Sequence, residues 1–241
     1  MSSLTIELKK CKRSGVIPIM LAVGVLGGLY ALVNFVIRKE TLLSLPLPPT
    51  VILLTQIYGM IMVLNMFGII VATCIIYHIE HSGAAMKKMY MLPINVSNIY
   101  TSKLVILTVL LLFCIALQNI ALAGIGATNL PNGTFELSTL FRFSMYSFIT
   151  SMPVLSFMLG VSSRCQNMWM TLGIGVAGFF SGMTMAMGEH QLLLINPFVL
   201  IMKPAMSATV ALDPTVIVMS LIETIIFVTI GQLLLKHVRY E

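Results

Sequence analysis

Residues 15–37 read GVIPIMLAVGVLGGLYALVNFVI, a run without a single charged side chain. A helix of roughly 20 predominantly apolar residues crosses the hydrocarbon core of a bilayer. The run is too long for the apolar region of a signal peptide, and no small-residue cleavage site follows it, so it reads as a retained first membrane span.

The rest of the chain agrees. Of 241 residues, 58% are hydrophobic and 9% are charged, with a mean hydropathy of +1.00. Soluble domains carry about 25% charged residues, and surface-to-volume scaling leaves a soluble fold of this size too little interior to hide so much apolar surface. The expected fold is therefore all-α: a polytopic membrane protein, one transmembrane domain over residues 1–241, with six spans near 15–37, 51–77, 102–124, 139–161, 168–188 and 214–235. Each break has a local cause. Pro46, Pro48 and Pro49 end the first connection, and the Asn129, Pro131, Gly133 cluster turns the chain between spans three and four. A short polar link, 162–167, joins four to five, and Asp213-Pro214 opens the last span with proline at its first turn.

Basic residues set the expected orientation. With the N-terminus inside, Lys9, Lys10, Lys12, Arg13, Lys87, Lys88, Lys103, Arg164, Lys236 and Arg239 are cytoplasmic. Arg38, Lys39, Arg142 and Lys203 are outside, and both termini are then cytoplasmic. The net charge of +6 is explained by this bias and by anionic lipid, with no need of a nucleic-acid partner. Within residues 1–14, the stretch SSLTIELKKCKR (2–13) suits an interfacial helix, with Leu4, Leu8 and Cys11 on one face and Lys9, Lys10, Lys12 and Arg13 meeting headgroups. A frayed basic tail is the plainer alternative.

The sequence has no GxxxxGK[ST] phosphate loop, no HExxH, no GxSxG and no close carboxylate pair. Cys11, Cys74, Cys114 and Cys165 show no CxxC spacing, and His78 and His81 lack a third ligand, so no disulfide framework or metal site is expected. No catalytic residue and no cofactor is expected on this chain.

The second connection, residues 78–101, is HIEHSGAAMKKMYMLPINVSNIYT. Residues 82–91 suit about three turns of helix stopped by Pro93, with the Glu80 carboxylate ahead of the positive end of the dipole. Such a helix could press into a cytoplasmic partner; an ordinary juxtamembrane loop whose lysines set topology accounts for the same residues. Here Glu80, Gly83, Leu92-Pro93-Ile94, Tyr100 and Lys103 resemble the region between spans two and three of ABC-2 type transporter permeases. Glu7–Ser14 (ELKKCKRS) is similar to their N-terminal interfacial helix, and Leu193–Phe198 (LLINPF) to their segment after span five. Length and layout look like the small permeases of lantibiotic-immunity (bacteriocin self-protection) transporters.

The resemblance implies a permease subunit of an ATP-driven exporter in a bacterial cytoplasmic membrane, moving or expelling a peptide antibiotic and so conferring resistance. It implies a separate ATP-binding subunit that holds the ATP and Mg, and a second permease subunit, identical or paralogous. Glu80, Ser82, Gly83, Lys87, Lys88, Met91, Leu92 and Pro93 would form the loop that couples to that subunit, and rocking of rigid bodies would alternate access.

Gln56, Asn65 and Glu223 are candidate translocation-path residues. A charge such as Glu223 inside a span costs at least about 2.5–3.5 kcal/mol on insertion scales, so it faces protein or water or is protonated; an interhelical hydrogen bond is the plainer role. Gln118 and Asn119 are further polar groups that need partners. Gly178 and Gly182 form a small-xxx-small pair for close helix approach, within or between subunits. The apolar run 192–202, broken by Asn196-Pro197, is too short to span and suits a re-entrant hairpin or a surface linker. The 19 methionines make either an adaptable surface for a greasy peptide or ordinary lipid-facing aliphatics. An ion-driven secondary carrier would be expected to show intramembrane acid relays and an inverted repeat; Glu223 alone is thin, and residues 15–124 and 139–235 show no such repeat. A non-transport sensor or assembly protein remains the third reading.

Overall fold

The computed structural model describes residues 3–44, 47–81, 96–130, 135–188, 190–206 and 210–237. Among these the chain is helical throughout its regular elements: α1 (Ser3–Ser14), α2 (Val16–Leu43), α3 (Pro49–His81), α4 (Val96–Asn129), α5 (Leu137–Arg164), α6 (Met168–Ala186), α7 (Pro197–Met206) and α8 (Pro214–His237). A 3-10 turn, Gln191–Ile195, precedes α7. Six helices, α2 to α6 and α8, are long and apolar enough to cross a membrane, as the sequence predicts.

Most are longer than the expected spans. The 28 residues of α2 extend about 42 Å at 1.5 Å per residue, well beyond a hydrocarbon core of about 30 Å. Hydropathy marks only the lipid-embedded part, whereas backbone hydrogen bonding carries the helix on through good helix formers such as Arg38, Lys39 and Glu40. Those residues, expected in a connection, are the last turns of α2.

The break between α1 and α2 is Gly15, whose φ of 80° is left-handed. A Cβ there would meet nothing within 4 Å, so the backbone conformation, not lack of space, favours glycine. The expected N-terminal helix is present as α1. Glu7 and Cys11 are buried against the spans, while Leu4 and Leu8 are exposed. Glu7 takes the inward place because it meets the buried Lys103 ammonium as well as Lys10.

α3 and α5 are the most enclosed spans and α6 and α8 the least. α2 packs on α4 and α3, and α5 packs on α8, α3 and α7. Gly24 and Gly27 let α2 approach α4 closely: a Cβ on Gly27 would lie 2.6 Å from Gln118. The Gly178–Gly182 pair of α6 serves a contact inside the chain. Both face Phe198 of α7, and a Cβ on Gly182 would lie 2.8 Å from the Phe198 backbone oxygen. The Asn196-Pro197 step starts α7 by ordinary capping chemistry. Asn196 Oδ1 accepts the Phe198 N–H at 3.0 Å, and proline occupies the first turn, where no N–H is needed. The apolar run divides here: Leu192 and Ile195 are exposed, whereas residues 197–202 are buried among α3, α5 and α6.

Candidate functional site: a buried ring of charge beside the second connection

Three helix ends meet where α3 stops at His81 and α4 begins at Val96. α1 contributes Glu7 and Lys10, α3 contributes Glu80 from its last turn, and α4 contributes Lys103 from its second. The side chains of Glu7, Glu80 and Lys103 are 2%, 3% and 1% exposed; Lys10, at 36%, is the one member open to solvent. They close a ring. Lys103 Nζ lies 2.6 Å from Glu7 Oε2 and 2.9 Å from Glu80 Oε1. Lys10 Nζ lies 2.6 Å from Glu7 Oε1 and 3.2 Å from Glu80 Oε1.

The ring is neutral, two carboxylates and two ammoniums, which lowers the cost of taking four ions out of water. Secondary contacts complete Lys103: its ammonium donates to the Ile76 carbonyl at 3.3 Å and lies 5.2 Å above the Tyr77 ring. α1 is also tied to α4 by Ser3 Oγ and Ser102 Oγ at 3.1 Å. Tyr100, fully buried one turn before Lys103, reaches the Ser156 carbonyl of α5 at 3.5 Å, and Gln232 of α8 donates to Thr101 Oγ1 at 3.2 Å.

The electrostatics follow from this geometry. Burial opposes ionisation of Glu7, but Lys103 and Lys10 outweigh it and hold the carboxyl below 4.5. Burial likewise opposes the charge on Lys10, and Glu7 and Glu80 more than offset it, placing the ammonium above 10.5. Burial pushes the neighbouring Cys11 thiol up from 9.0. All three groups lie on α1. The ring offers no nucleophile and no proton acceptor to a substrate. What it does is mechanical: it joins α1, the end of α3 and the start of α4 into one unit at the point where the second connection leaves and returns.

Of the residues assigned to that connection, Glu80 stands in the ring, while Ser82, Gly83, Lys87, Lys88, Met91, Leu92 and Pro93 lie outside the described residues. The helix whose dipole Glu80 is expected to face lies outside the described residues; Glu80 Oε1 accepts from Lys103 and Lys10. For Glu7 and Lys103 the sequence offers only a place in a motif, not a pairing. The available signal was scarcity: in a chain with 8 acidic residues, a carboxylate beside a span needs a cation nearby.

The candidate path residues do not form one cluster. Gln56 is exposed on a π-turn, Leu53–Ile57, within α3. Asn65 is buried in a reciprocal amide pair with Gln118: its Nδ2 donates to Gln118 Oε1 at 3.0 Å, and Gln118 Nε2 donates to Asn65 Oδ1 at 2.6 Å. Glu223 is buried in α8, and neither carboxylate oxygen has a hydrogen-bond partner among the described residues. Ser220 and Thr224, on the same face, bond back to the backbone of their own helix. Among the described residues, no group of three His, Cys, Asp or Glu is placed to hold a metal ion.

Comparison with known proteins locates this architecture. Residues 3–182 match the model of a family described as ABC-2 family transporter protein. The match takes in α1, the whole ring and most of α6. No curated protein and no solved structure matches the chain.

Proposed function

From the premise that this chain belongs to the ABC-2 transporter family, we propose that it is the permease of an ATP-driven exporter whose second connection, residues 82–95, docks on the ATP-binding partner. Membership makes it a membrane translocation component, distinct from the ATPase, and implies an ATP-binding partner in general. The observation that carries the docking reading is the buried ring. A loop that receives force from a partner needs a base that does not yield, and Glu80 and Lys103 fix its two ends to each other and to α1.

Force arriving at residues 82–95 then turns α3 and α4 together, as rigid-body rocking requires. The residues proposed to contact the partner are Ser82, Gly83, Lys87, Lys88, Met91, Leu92 and Pro93, with Glu80 fixing the base of the connection from the buried ring; ATP and Mg would be held by that partner. The proposed setting is a bacterial cytoplasmic membrane with both termini cytoplasmic, supported by the excess of basic residues at that end. A second permease subunit completes the path. The proposed cargo is an apolar peptide of the lantibiotic or bacteriocin class; size, six-span layout and the methionine-rich surface support this. Gln56, Asn65 and Glu223 are proposed to border the path, Asn65 through the packing it fixes.

The test is isolation of the tagged chain from its native membrane in mild detergent, followed by mass spectrometry and an ATPase assay. A stoichiometric ATP-binding subunit, lost from Lys87→Glu/Lys88→Glu and weakened in Glu80→Gln, supports the reading. Recovery of the chain without a nucleotide-binding partner would sink it.

A further inference from the structure

Between α5 and α8 a cavity of about 350 Å³ runs along the bundle, toward the end that carries the charged ring. α5 lines it from Ser156 to Cys165 and α8 from Phe227 to Leu234, so the two helices are its parallel walls. Tyr100 of α4 lies behind them. Its hydroxyl donates to the Ser156 carbonyl at 3.5 Å, and a Cβ on Gly231 would lie 2.5 Å from the Tyr100 oxygen. The deep end is closed by Phe157 and Phe227, ring centroids 5.3 Å apart. Along the rim Ile230 and Leu234 are 45% and 39% exposed, so the slot opens sideways to lipid.

Two of its lining residues set this slot apart from an ordinary crevice between helices. The first is Gly160. Gly27 and Gly182 admit close neighbours, Gln118 and Phe198, but a Cβ on Gly160 would meet nothing within 4 Å. Gly160 therefore brings no helix closer; what it does is keep the slot open, because a side chain there would stand inside it. The second is Arg164, exposed in the last turn of α5. It is the one charged side chain among the described residues that line the slot. The ion pairs among the described residues all lie in the ring, so Arg164 has no carboxylate there to neutralise it.

Depth and charge together specify the occupant. Arg164 to Ser156 is about 12 Å of helix at 1.5 Å per residue, which fits within the roughly 15 Å of hydrocarbon in one leaflet. The Ser156 hydroxyl is already satisfied by the Met152 and Pro153 carbonyls of its own helix, so the deep walls ask for methylene groups and nothing polar. At the mouth, the planar fork of a guanidinium matches the oxygens of a phosphate. A zwitterionic head brings its own ammonium to that phosphate and gains less from Arg164. An anionic head brings none.

We propose that the α5–α8 slot is a binding site for an anionic phospholipid. One acyl chain lies between Gly160 and Ile230 with its end against the Phe157–Phe227 ring pair, and Arg164 holds the phosphate. α8 buries little of its surface against protein, so the lipid is a further tie between α8 and α5. The site stands apart from the transport reading: lipid binding is measured without nucleotide, cargo or an ATPase partner.

The experiment uses the full chain, with whatever subunits co-purify, in phosphatidylcholine nanodiscs. The probes are phosphatidylglycerol and phosphatidylcholine carrying the same diazirine-bearing acyl chain. The expected result is saturable crosslinking of the phosphatidylglycerol probe to 156–165 and 227–234, with about fivefold weaker apparent affinity for the phosphatidylcholine probe. Arg164→Gln should erase that preference. Gly160→Leu fills the slot without touching charge and should abolish labelling by both probes. Its melting temperature should be unchanged or raised, because it removes a glycine from a helix interior. Equal labelling by the two probes in the parent, a preference that survives Arg164→Gln, or labelling indifferent to Gly160→Leu overturns the proposal. So does exclusion of both probes together with Cys165–Cys165 disulfides between chains on oxidation with copper phenanthroline. Among the described residues Cys165 is the one cysteine that is not buried, and that result would assign the slot to a second copy of the chain. If Gly160→Leu does not fold, Arg164→Gln decides.

Discussion

Replacing Lys103 by methionine keeps the side-chain stem and deletes the ammonium that holds Glu7, Glu80 and the Ile76 carbonyl at 2.6, 2.9 and 3.3 Å. The buried cluster then carries two carboxylates against Lys10 alone, and Lys10 is more than a third exposed. Removing one partner of a buried ion pair costs about 3–5 kcal/mol; we take the lower figure because Lys10 remains. That energy is spent locally, on the docking of α1, since α2 to α8 hold one another by apolar packing. At 1.36 kcal/mol per tenfold, undocked α1 becomes about 100-fold more populated. Cys11 reports it. Its thiol is 1% exposed beneath α1, and burial raises its pKa, so docked Cys11 is shielded twice from alkylation. Residue-resolved mass spectrometry after maleimide pulses should show Cys11 reacting about 100-fold faster in Lys103→Met. Adding Glu7→Gln should bring less loss than Glu7→Gln alone, because it removes a carboxylate that has already lost Lys103 and keeps only the partly exposed Lys10. Cys11 reactivity within twofold of the parent, or strictly additive effects in the double variant, would refute the ring as the element that docks α1.

The ring also fixes a pH window. The Glu7 carboxyl is depressed, so its contribution is full above about 4.5 and is lost as pH falls through its lower folded value. The Lys10 ammonium is raised, so its contribution is full below about 10.5 and is lost as pH rises through its higher folded value. A spin-label distance from α1 to α4 should therefore stay constant between those limits and lengthen outside them. Gly182→Ala places a Cβ 2.8 Å from the Phe198 backbone oxygen, where no side-chain rotation relieves it; a loss of about 1–3 kcal/mol, read as a lowered melting temperature, should accompany movement of α7. The Asn65–Gln118 pair should show a coupling of about 0.6–1.7 kcal/mol in a double-mutant cycle to alanine; zero coupling would mean the pair is incidental.

The spans were legible in the sequence because lipid imposes one rule on every residue of a spanning helix, and runs such as 15–37 obey it without exception. Their ends were less so: Arg38 and Lys39 break the hydropathy of α2 but not its hydrogen bonding. The ring was half legible. Glu80 drew notice by its place near a span end, yet Glu7 and Lys103 stand 96 positions apart, and nothing local in either segment signals the other. In α1, spacing groups Leu4 and Leu8 with Cys11, but that Glu7 packs inward beside Cys11 is set by charge pairing, which hydrophobic periodicity does not record. Asn65 and Gln118 were recognised as polar groups in need of partners; that they satisfy each other is a tertiary fact. Gly178 and Gly182 announced a close approach, and only the packing says that Phe198 is what approaches.

The distribution of interaction strength across the molecule bears on how it would move. At one end of the bundle, α1, α3 and α4 are joined by charge-assisted bonds in a buried site, the strongest non-covalent links that a helical membrane protein offers. In the interior, α3 and α4 are joined by the Asn65–Gln118 amide pair and α2 meets α4 through glycine-mediated contact, interactions that are modest in lipid. Glu80 Oε2 has no hydrogen-bond partner among the described residues, so the ring is held through Glu80 Oε1 and both Glu7 oxygens. The three helices around the second connection are therefore joined by charge pairs, whereas α6 and α8 bury the least of their surface.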